Sequence, residues 1–314
     1  MRNFITTILI GLLALSVACG GGDTKKDEQP TEQSEQEFTE AMGEEHKDDS
    51  PTPSPQAEKD PGVEVETSKV TYHTDGDREV RGLLTKPKGA TGNLPGIIVI
   101  HEWWGLNKNI KSMSEQLAAQ GYMTLAVDLY SGRVADSPDK AKEYMTEAME
   151  NPDAAKQNLR SAFATLKKNG ATSVGVIGWC FGGAWSLQTA LMLPKKIDAT
   201  VIYYGRLVQD KAKLEKLEMP ILGIFGAEDS GIPVAGVKQF EKTLKELDKD
   251  ADIRIYAGAG HAFANPSGDA YVEEAATDAW ERTTKFFAEH LKGEAVDAPA
   301  DSKDDQKATD AAAE

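Results

Sequence analysis

A cysteine between two glycines is the residue of this sequence whose surroundings most clearly suggest chemistry. Residues 174–177 are mostly β-branched, and Gly178-Trp179-Cys180-Phe181-Gly182 follows them directly. A nucleophile between two glycines, after a buried strand and before a helix, is typical of the G-x-S-x-G nucleophile elbow, here with Cys in the place of Ser. The thiolate of such a residue can attack a carbonyl carbon. The alternative is a cysteine with a packing role only, since free Cys is among the most buried residue types.

A nucleophile of this kind needs a base and an acid that orients the base. Elbow enzymes place them downstream, in the order nucleophile, acid, histidine. Two histidines follow Cys180, and His261 is favoured because it lies in a Gly-rich loop just after the last apolar run, whereas His290 lies near the end of a helix. The acid is expected at the end of the preceding strand, where Asp229 is favoured and Glu228 is the competitor.

Strands and helices alternate around these residues and predict an α/β fold. We expect a mostly parallel sheet with helices on both faces, opened by an N-terminal antiparallel hairpin with its turn at residues 75–77. The predicted strands cover residues 63–66, 70–72, 80–84, 96–100, 122–127, 174–177, 199–203, 221–225 and 253–256. The predicted helices cover residues 107–120, 141–149, 153–168, 184–192, 234–247 and 271–291. The carboxyl ends of such strands form the edge where these folds place their sites.

The charge of the chain is concentrated at its two ends. The net charge is −16, but residues 23–60 hold 13 acids against 4 bases and residues 293–314 hold 7 against 2. The part between them is nearly neutral, so no basic surface for nucleic acid is predicted. We predict one folded domain over residues 63–292, an acidic disordered tether over 19–62 and an acidic disordered tail over 293–314.

The N-terminus has the pattern of an export signal. Arg2 precedes a mostly apolar stretch over residues 4–17, which is too short to span a bilayer comfortably. The end of this stretch resembles a bacterial lipoprotein signal, which implies that residues 1–18 are removed and that Cys19 carries lipid. An ordinary secretory signal is the alternative. The resemblance places the protein in the cell envelope, on the outer rather than the inner membrane.

Cys19 is a candidate for lipidation and Cys180 a candidate nucleophile, so no structural disulfide between the two cysteines is predicted.

Four ordered motifs within residues 63–291 resemble the dienelactone hydrolase family. They are residues 101–107 (His-Glu-Trp-Trp-Gly-Leu-Asn), 128–130 (Asp-Leu-Tyr), 178–183 (Gly-Trp-Cys-Phe-Gly-Gly) and 258–263 (Gly-Ala-Gly-His-Ala-Phe). The resemblance implies an α/β-hydrolase fold and a triad of Cys180, His261 and Asp229. It also implies that Glu102 contacts the resting thiol and helps to generate the thiolate when substrate binds. His101, the rival base beside it, precedes the elbow and does not fit the order of the fold.

The oxyanion of the reaction is expected to bind the backbone N–H groups of Phe181 and Trp103. Trp103, Trp104 and Tyr130 are candidate walls of the substrate pocket. Family members that cleave dienelactones hold the substrate carboxylate with two Arg residues. Arg133 matches the first, as a candidate anion contact or a solvated loop residue, but Asn265 stands near the position of the second. The sequence therefore favours the family over that particular substrate.

The function predicted from the sequence is hydrolysis of a small lactone or ester by acyl transfer through Cys180. The same triad would also serve a thioesterase or a peptidase. A non-catalytic lipoprotein that binds a small ligand on a hydrolase scaffold is the alternative from another class. No phosphate-binding loop and no metal-ligand spacing is found in the sequence, so neither a cofactor nor a metal is predicted. A monomer is favoured, with the membrane as a partner through the lipid anchor.

Overall fold

The computed structural model describes residues 35–51, 60–91 and 93–293, all within the compact unit Thr31–Glu314. The predicted signal peptide, the lipidation site Cys19 and nearly all of the predicted C-terminal tail lie outside these residues. Within the described part of the chain, every helix is too short or too polar to cross a membrane.

A single eight-stranded sheet forms the centre of the domain, in the order β1-β2-β4-β3-β5-β6-β7-β8. The first two strands pair as an antiparallel hairpin, β2 pairs antiparallel with β4, and all other neighbours are parallel. This confirms the predicted fold class. The strands are β1 (Val65–Asp75), β2 (Arg78–Pro87), β3 (Gly96–Ile100), β4 (Met123–Ala126), β5 (Val174–Trp179), β6 (Ala199–Tyr203), β7 (Ile221–Gly226) and β8 (Ala251–Tyr256).

Helices follow most strands, as expected of a sequence in which strand-type and helix-type hydrophobic patterns alternate. They are α1 (Glu35–Glu45), α2 (Lys108–Ala119), α3 (Pro138–Glu150), α4 (Pro152–Lys168), α5 (Phe181–Met192), α6 (Lys211–Leu214), α7 (Val234–Glu246) and α8 (Glu273–Phe287). A π-helical turn over Ala288–Lys292 continues the last helix. Asn107 caps α2 as predicted, because its side chain accepts a hydrogen bond from the N–H of Ile110 at 3.2 Å.

The register of the central strands brings the predicted site residues to one edge of the sheet. All residues of β3, β5 and β7 are buried. Strands β3 and β5 run side by side with Ile100 opposite Gly178. Glu102 and Cys180 therefore leave neighbouring strands at the same edge, and the loops after β7 and β8 carry Asp229 and His261 to that edge.

The structure differs from the prediction in the acidic segment before the domain. Residues 35–45 of the expected disordered tether form helix α1, which packs against α3. Phe38, Met42 and His46 are spaced by four residues, so they lie on one face, and all three are buried. This buried face stabilises α1 against the domain, although the segment as a whole is mostly polar.

Candidate active site

The turn between β5 and α5 holds Cys180 in a strained backbone conformation, with φ 55° and ψ −118°. Two close approaches of the backbone make this turn possible. A Cβ atom on Gly178 would lie 2.1 Å from the carbonyl oxygen of Gly182, and one on Gly182 would lie 2.5 Å from the carbonyl oxygens of Ile100 and His101. Glycine is therefore required at both positions, as the elbow motif predicted.

His261 is oriented by Asp229. The two side chains are fully buried, and His261 Nδ1 lies 2.7 Å from Asp229 Oδ2. Burial alone would lower the pKa of His261, but the charges of Asp229 and Cys180 outweigh it and raise that pKa well above its ordinary value. The competing acid, Glu228, is exposed on the neighbouring turn. The geometry thus selects Asp229 over Glu228.

Asp229 is itself held in its charged form by its surroundings. Burial acts to raise its pKa, but the charge of His261 and hydrogen bonds from His261 and from the N–H groups of Gly231 and Ile232 together lower it. The hydrogen bond from the N–H of Ile232 is 2.7 Å long. A buried carboxylate fixed in this way can stabilise an imidazolium on its partner.

Cys180 lies close to His261 but is covered from the solvent. One ring nitrogen of His261 lies within 4.8 Å of the thiol sulfur. Only 2% of Cys180 is exposed, because Met42 of α1 lies over it with its sulfur 3.8 Å from the Cys180 sulfur. The structure thus brings the three residues of the predicted triad together, beneath a helix that the sequence analysis did not anticipate.

Glu102 occupies the edge beside the triad and is held by Asn265. The Asn265 amide donates to Glu102 Oε2 at 2.9 Å. Burial raises the pKa of Glu102 to about 7, with Asp49 adding to the shift and His261 opposing it. In the described residues the thiol lies in hydrogen-bond range of Met42 rather than of Glu102. The contact between Glu102 and the resting thiol, which the resemblance implied, stays a prediction.

His101, the rival base, is occupied by the backbone. Its Nδ1 lies 2.6 Å from the carbonyl oxygen of Glu102, and its Nε2 accepts from the N–H of Leu129 at 3.1 Å. The ring is fully buried, and burial lowers its pKa. Its ring also packs against those of Tyr130 and Phe181. His101 thus joins the loops after β3 and β4.

The predicted oxyanion donors lie at the start of α5 and in the loop after β3. Phe181 is the first residue of α5, so its N–H belongs to the group that a helix leaves without an intrahelical acceptor. Trp103 lies in the turn directly after Glu102. Trp103, Trp104 and Tyr130 are buried; the two Trp rings pack against each other, and the Tyr130 ring packs against Phe181. Backbone donors at a helix start and an aromatic wall suit a developing oxyanion beside an apolar acyl group.

Arg133 and Asn265 do not form a carboxylate clamp. Arg133 pairs with Glu147 at 2.5 Å, and its guanidinium lies 4.1 Å from the ring centre of Tyr144. Asn265 is buried and engaged with Glu102. Arg133 is thus engaged by a carboxylate at the surface, and Asn265 donates its amide to the buried Glu102.

A cavity of about 210 Å³ lies beside the elbow helix. Phe181, Trp185 and Leu207 form part of its wall, and Phe38 of α1 forms another part. Arg206 and Lys156 contribute the charged groups to its lining. The cavity thus has a mixed polar and apolar lining, and it reaches the elbow at Phe181, the residue after Cys180.

Three residues of the site were missed by the sequence analysis, namely Met42, His46 and Asp49. His46 is buried with its ring 5.2 Å from that of His261 and 5.0 Å from that of Trp103. Asp49 holds His46 Nδ1 at 2.7 Å. The spacing of Phe38, Met42 and His46 by four was the available signal, and the acidic composition of the segment obscured it.

Comparisons with known proteins identify the family of this chain. The sequence model of the Dienelactone hydrolase family matches residues 80–291. The chain is 37% identical to "Protein usf" of Aquifex pyrophilus over 221 residues, which are 68% of this chain and 94% of that protein. It is 32% identical to a protein of Aquifex aeolicus named "Putative carboxymethylenebutenolidase", over 68% of this chain and 95% of the other.

Solved structures give the same result. The structure of a "Putative Dienelactone Hydrolase" from Klebsiella pneumoniae covers 72% of this chain and 99% of its own, with 26% sequence identity and a TM-score of 0.65. The family match, these relatives and the α/β sheet with its elbow together show that the chain is a hydrolase and belongs to the dienelactone hydrolase family.

Proposed function

We propose that the protein cleaves a small ester or lactone by acyl transfer through Cys180, with His261 as the base and Asp229 as the group that orients it. The observation that carries the proposal is the buried Asp229–His261 pair next to a cysteine on a strained elbow. A strained nucleophile, an oriented imidazole and a buried carboxylate are the three parts that covalent hydrolysis requires.

In the first half of the reaction the thiol proton passes to His261, and the Cys180 sulfur bonds to the substrate carbonyl carbon. The carbonyl oxygen becomes an oxyanion, which the N–H groups of Phe181 and Trp103 stabilise. The carbon–oxygen bond to the alcohol then breaks, and the alcohol oxygen takes the proton from His261. Cys180 is left as a thioester, and in a lactone the alcohol stays attached to the acyl group.

The second half of the reaction uses water as the nucleophile. His261 removes a proton from the water, the hydroxide adds to the thioester carbon, and the same two N–H groups receive the oxyanion. The carbon–sulfur bond breaks to release the acid, and the proton returns to the thiolate. Glu102 is proposed to favour the reactive state, since a carboxyl group with a pKa of about 7 can exchange a proton near neutral pH.

The substrate class is proposed from the pocket. The cavity beside Phe181 is about 210 Å³, smaller than the pockets of about 300–1,000 Å³ that hold drug-sized ligands. Arg133 is paired with Glu147, so it lacks the free charge of an anion clamp. These features support a short acyl ester or a small lactone without a carboxylate that needs two Arg contacts.

The location is proposed from the sequence of the N-terminus. An apolar stretch after Arg2 and a cysteine after Ser16-Val17-Ala18 support lipidation of Cys19 and attachment to the cell envelope, on the outer membrane. The hydrolase would then act on small esters or lactones that enter the envelope.

The proposal is tested by hydrolysis of a panel of short aryl esters and lactones with the wild type and with Cys180→Ala. We expect the substitution to abolish turnover while the fold, followed by circular dichroism, is kept. Cys180→Ser is expected to retain only a small part of the activity, because the serine hydroxyl needs a stronger base. Turnover by Cys180→Ala at the rate of the wild type would falsify the mechanism.

A further inference from the structure

Two buried imidazole rings and a thiol converge at the active site, and the proposed triad uses only one of the rings. One ring nitrogen of His46, one of His261 and the sulfur of Cys180 all lie within 4.8 Å of one another. The three residues are 4%, 1% and 2% exposed, so the donor atoms face each other inside the protein. The second ring, that of His46, has no part in acyl transfer.

Each ring is oriented by its own carboxylate. His46 Nδ1 lies 2.7 Å from Asp49 Oδ2, and His261 Nδ1 lies 2.7 Å from Asp229 Oδ2. The two Nε2 atoms are buried; that of His46 has no hydrogen-bond partner among the described residues, and His261 interacts with the Cys180 thiol. A carboxylate on one nitrogen, with the other nitrogen free and inward, is the arrangement that fixes metal-binding histidines.

The donor set matches one kind of ligand. Leaving a buried imidazole nitrogen without a partner costs free energy, which a group that accepts its lone pair would recover. Two imidazole nitrogens and a thiolate are borderline-soft donors of the type that Zn²⁺ takes in proteins. In a tetrahedral site these donors would lie about 3.5 Å apart, so closing the site requires shifts of only about 1 Å.

We propose that His46, Cys180 and His261 form a binding site for Zn²⁺. The ion forms bonds to two neutral imidazole nitrogens and to the Cys180 sulfur, and the thiol proton and the Nε2 proton of His261 are both released to the solvent. No electron is transferred in this step. The ligands come from the turn directly after α1 and from the loops after β5 and β8, so the bound ion links the end of α1 to the domain.

Zinc bound in this way would also inhibit the hydrolase, because it occupies the nucleophile and the base and holds α1 over them. This consequence depends on the proposed function, whereas the binding itself does not. The site is far from obvious in the sequence, since its three ligands are spread over the chain from position 46 to position 261.

The test uses the full chain with Cys19→Ala in every variant, so that Cys180 is the only thiol. Metal-free protein is titrated with Co²⁺, which reports tetrahedral geometry by its visible absorption and thiolate ligation by charge transfer, and with Zn²⁺ in a calorimeter. We expect one ion per chain and a charge-transfer band that Cys180→Ser removes.

The matched variants test His46, the proposed metal ligand that does not belong to the triad. His46→Gln is expected to weaken Zn²⁺ binding by about 100-fold, and Asp49→Asn, which keeps the ring but loses its orientation, by about 10- to 100-fold. The control His290→Gln changes a histidine outside the cluster and should bind as the wild type does. Unchanged binding by both His46→Gln and Asp49→Asn, or no stoichiometric binding by the wild type, would overturn the proposal.

An activity measurement then distinguishes this proposal from the proposed function. Each variant is compared with its own metal-free rate, and Zn²⁺ is expected to inhibit the wild type at about 100-fold lower concentration than His46→Gln. Equal inhibition of these two proteins by Zn²⁺ counts against the metal site but does not affect the proposed hydrolase function. Absence of turnover in the metal-free wild type would count against the triad, while the binding data would still decide the site.

Discussion

The contact between Asp229 and His261 is the residue-scale feature on which the proposed catalysis depends. Replacing the acid by an amide keeps the shape but removes the charge that stabilises the imidazolium. We expect Asp229→Asn to lower kcat by about 10³-fold or more. The matched change at the neighbouring exposed acid, Glu228→Gln, should leave kcat nearly unchanged. Equal losses in the two variants, measured with one aryl ester, would contradict this assignment.

Glu102 makes the stability of the protein depend on pH in a predictable direction. Its pKa is about 7 in the folded protein against an ordinary value of 4.5, so between these values the folded state holds a proton that the unfolded chain has lost. This contribution is fully present below pH 4.5 and is lost as the pH rises through 7. It corresponds to about 3 kcal/mol.

Glu102→Gln removes the titrating group and keeps an oxygen that can accept from Asn265. We therefore expect the free energy of unfolding of this variant, measured in urea between pH 5 and pH 8, to fall less with pH than that of the wild type. Identical pH profiles of the two proteins would show that Glu102 does not hold the proton.

Two residues of the proposed triad have a local signal in the sequence. Cys180 lies between glycines, and His261 lies in a short loop at a strand end. The choice between Asp229 and Glu228 needed coordinates, because adjacent residues of a turn point in different directions. Asn265 had no signal of its role, since its contact with Glu102 joins positions 163 residues apart.

At the scale of elements, helix α1 covers Cys180 through Met42. Met42 is fully buried over Cys180, and truncating a buried Met typically costs about 2–5 kcal/mol. Met42→Ala is therefore expected to raise the population in which α1 is detached by at least about tenfold. Alkylation of Cys180 by iodoacetamide and kcat/KM for a short ester should both increase.

The matched control is Met192→Ala, which truncates a half-buried methionine at the far end of α5. It should leave both rates near those of the wild type. A decrease in alkylation by Met42→Ala, or no change, would mean that substrate reaches Cys180 by a route that does not involve α1.

Helix α1 is also an element that the sequence analysis did not predict. The strands and helices of the domain have strong periodicity and were predicted close to their observed bounds, as for β3 over Gly96–Ile100. Helix α1 lies in an acidic segment, and its burial depends on a surface built by distant parts of the chain. The segment is acidic on average, so its composition did not reveal the one apolar face that packs against that surface.

At the scale of the whole molecule, the two ends carry most of the net charge of −16. If Cys19 carries lipid, as proposed, the acyl chains hold the protein on the membrane, because each buried methylene contributes about 0.8 kcal/mol. We expect Cys19→Ala to move the protein from the detergent phase to the aqueous phase in a Triton X-114 partition. The same distribution for wild type and Cys19→Ala would contradict lipid anchoring.

The most direct test of the account is to look for the acyl group on the cysteine itself. The protein is mixed with an excess of an activated aryl ester, quenched in acid within the first turnovers and digested for mass spectrometry. We predict one acyl group per chain on the peptide that contains Cys180. In His261→Ala we expect the same acyl group to form at a strongly reduced rate. Turnover of the ester with no acyl group on that peptide at any time would contradict the central claim.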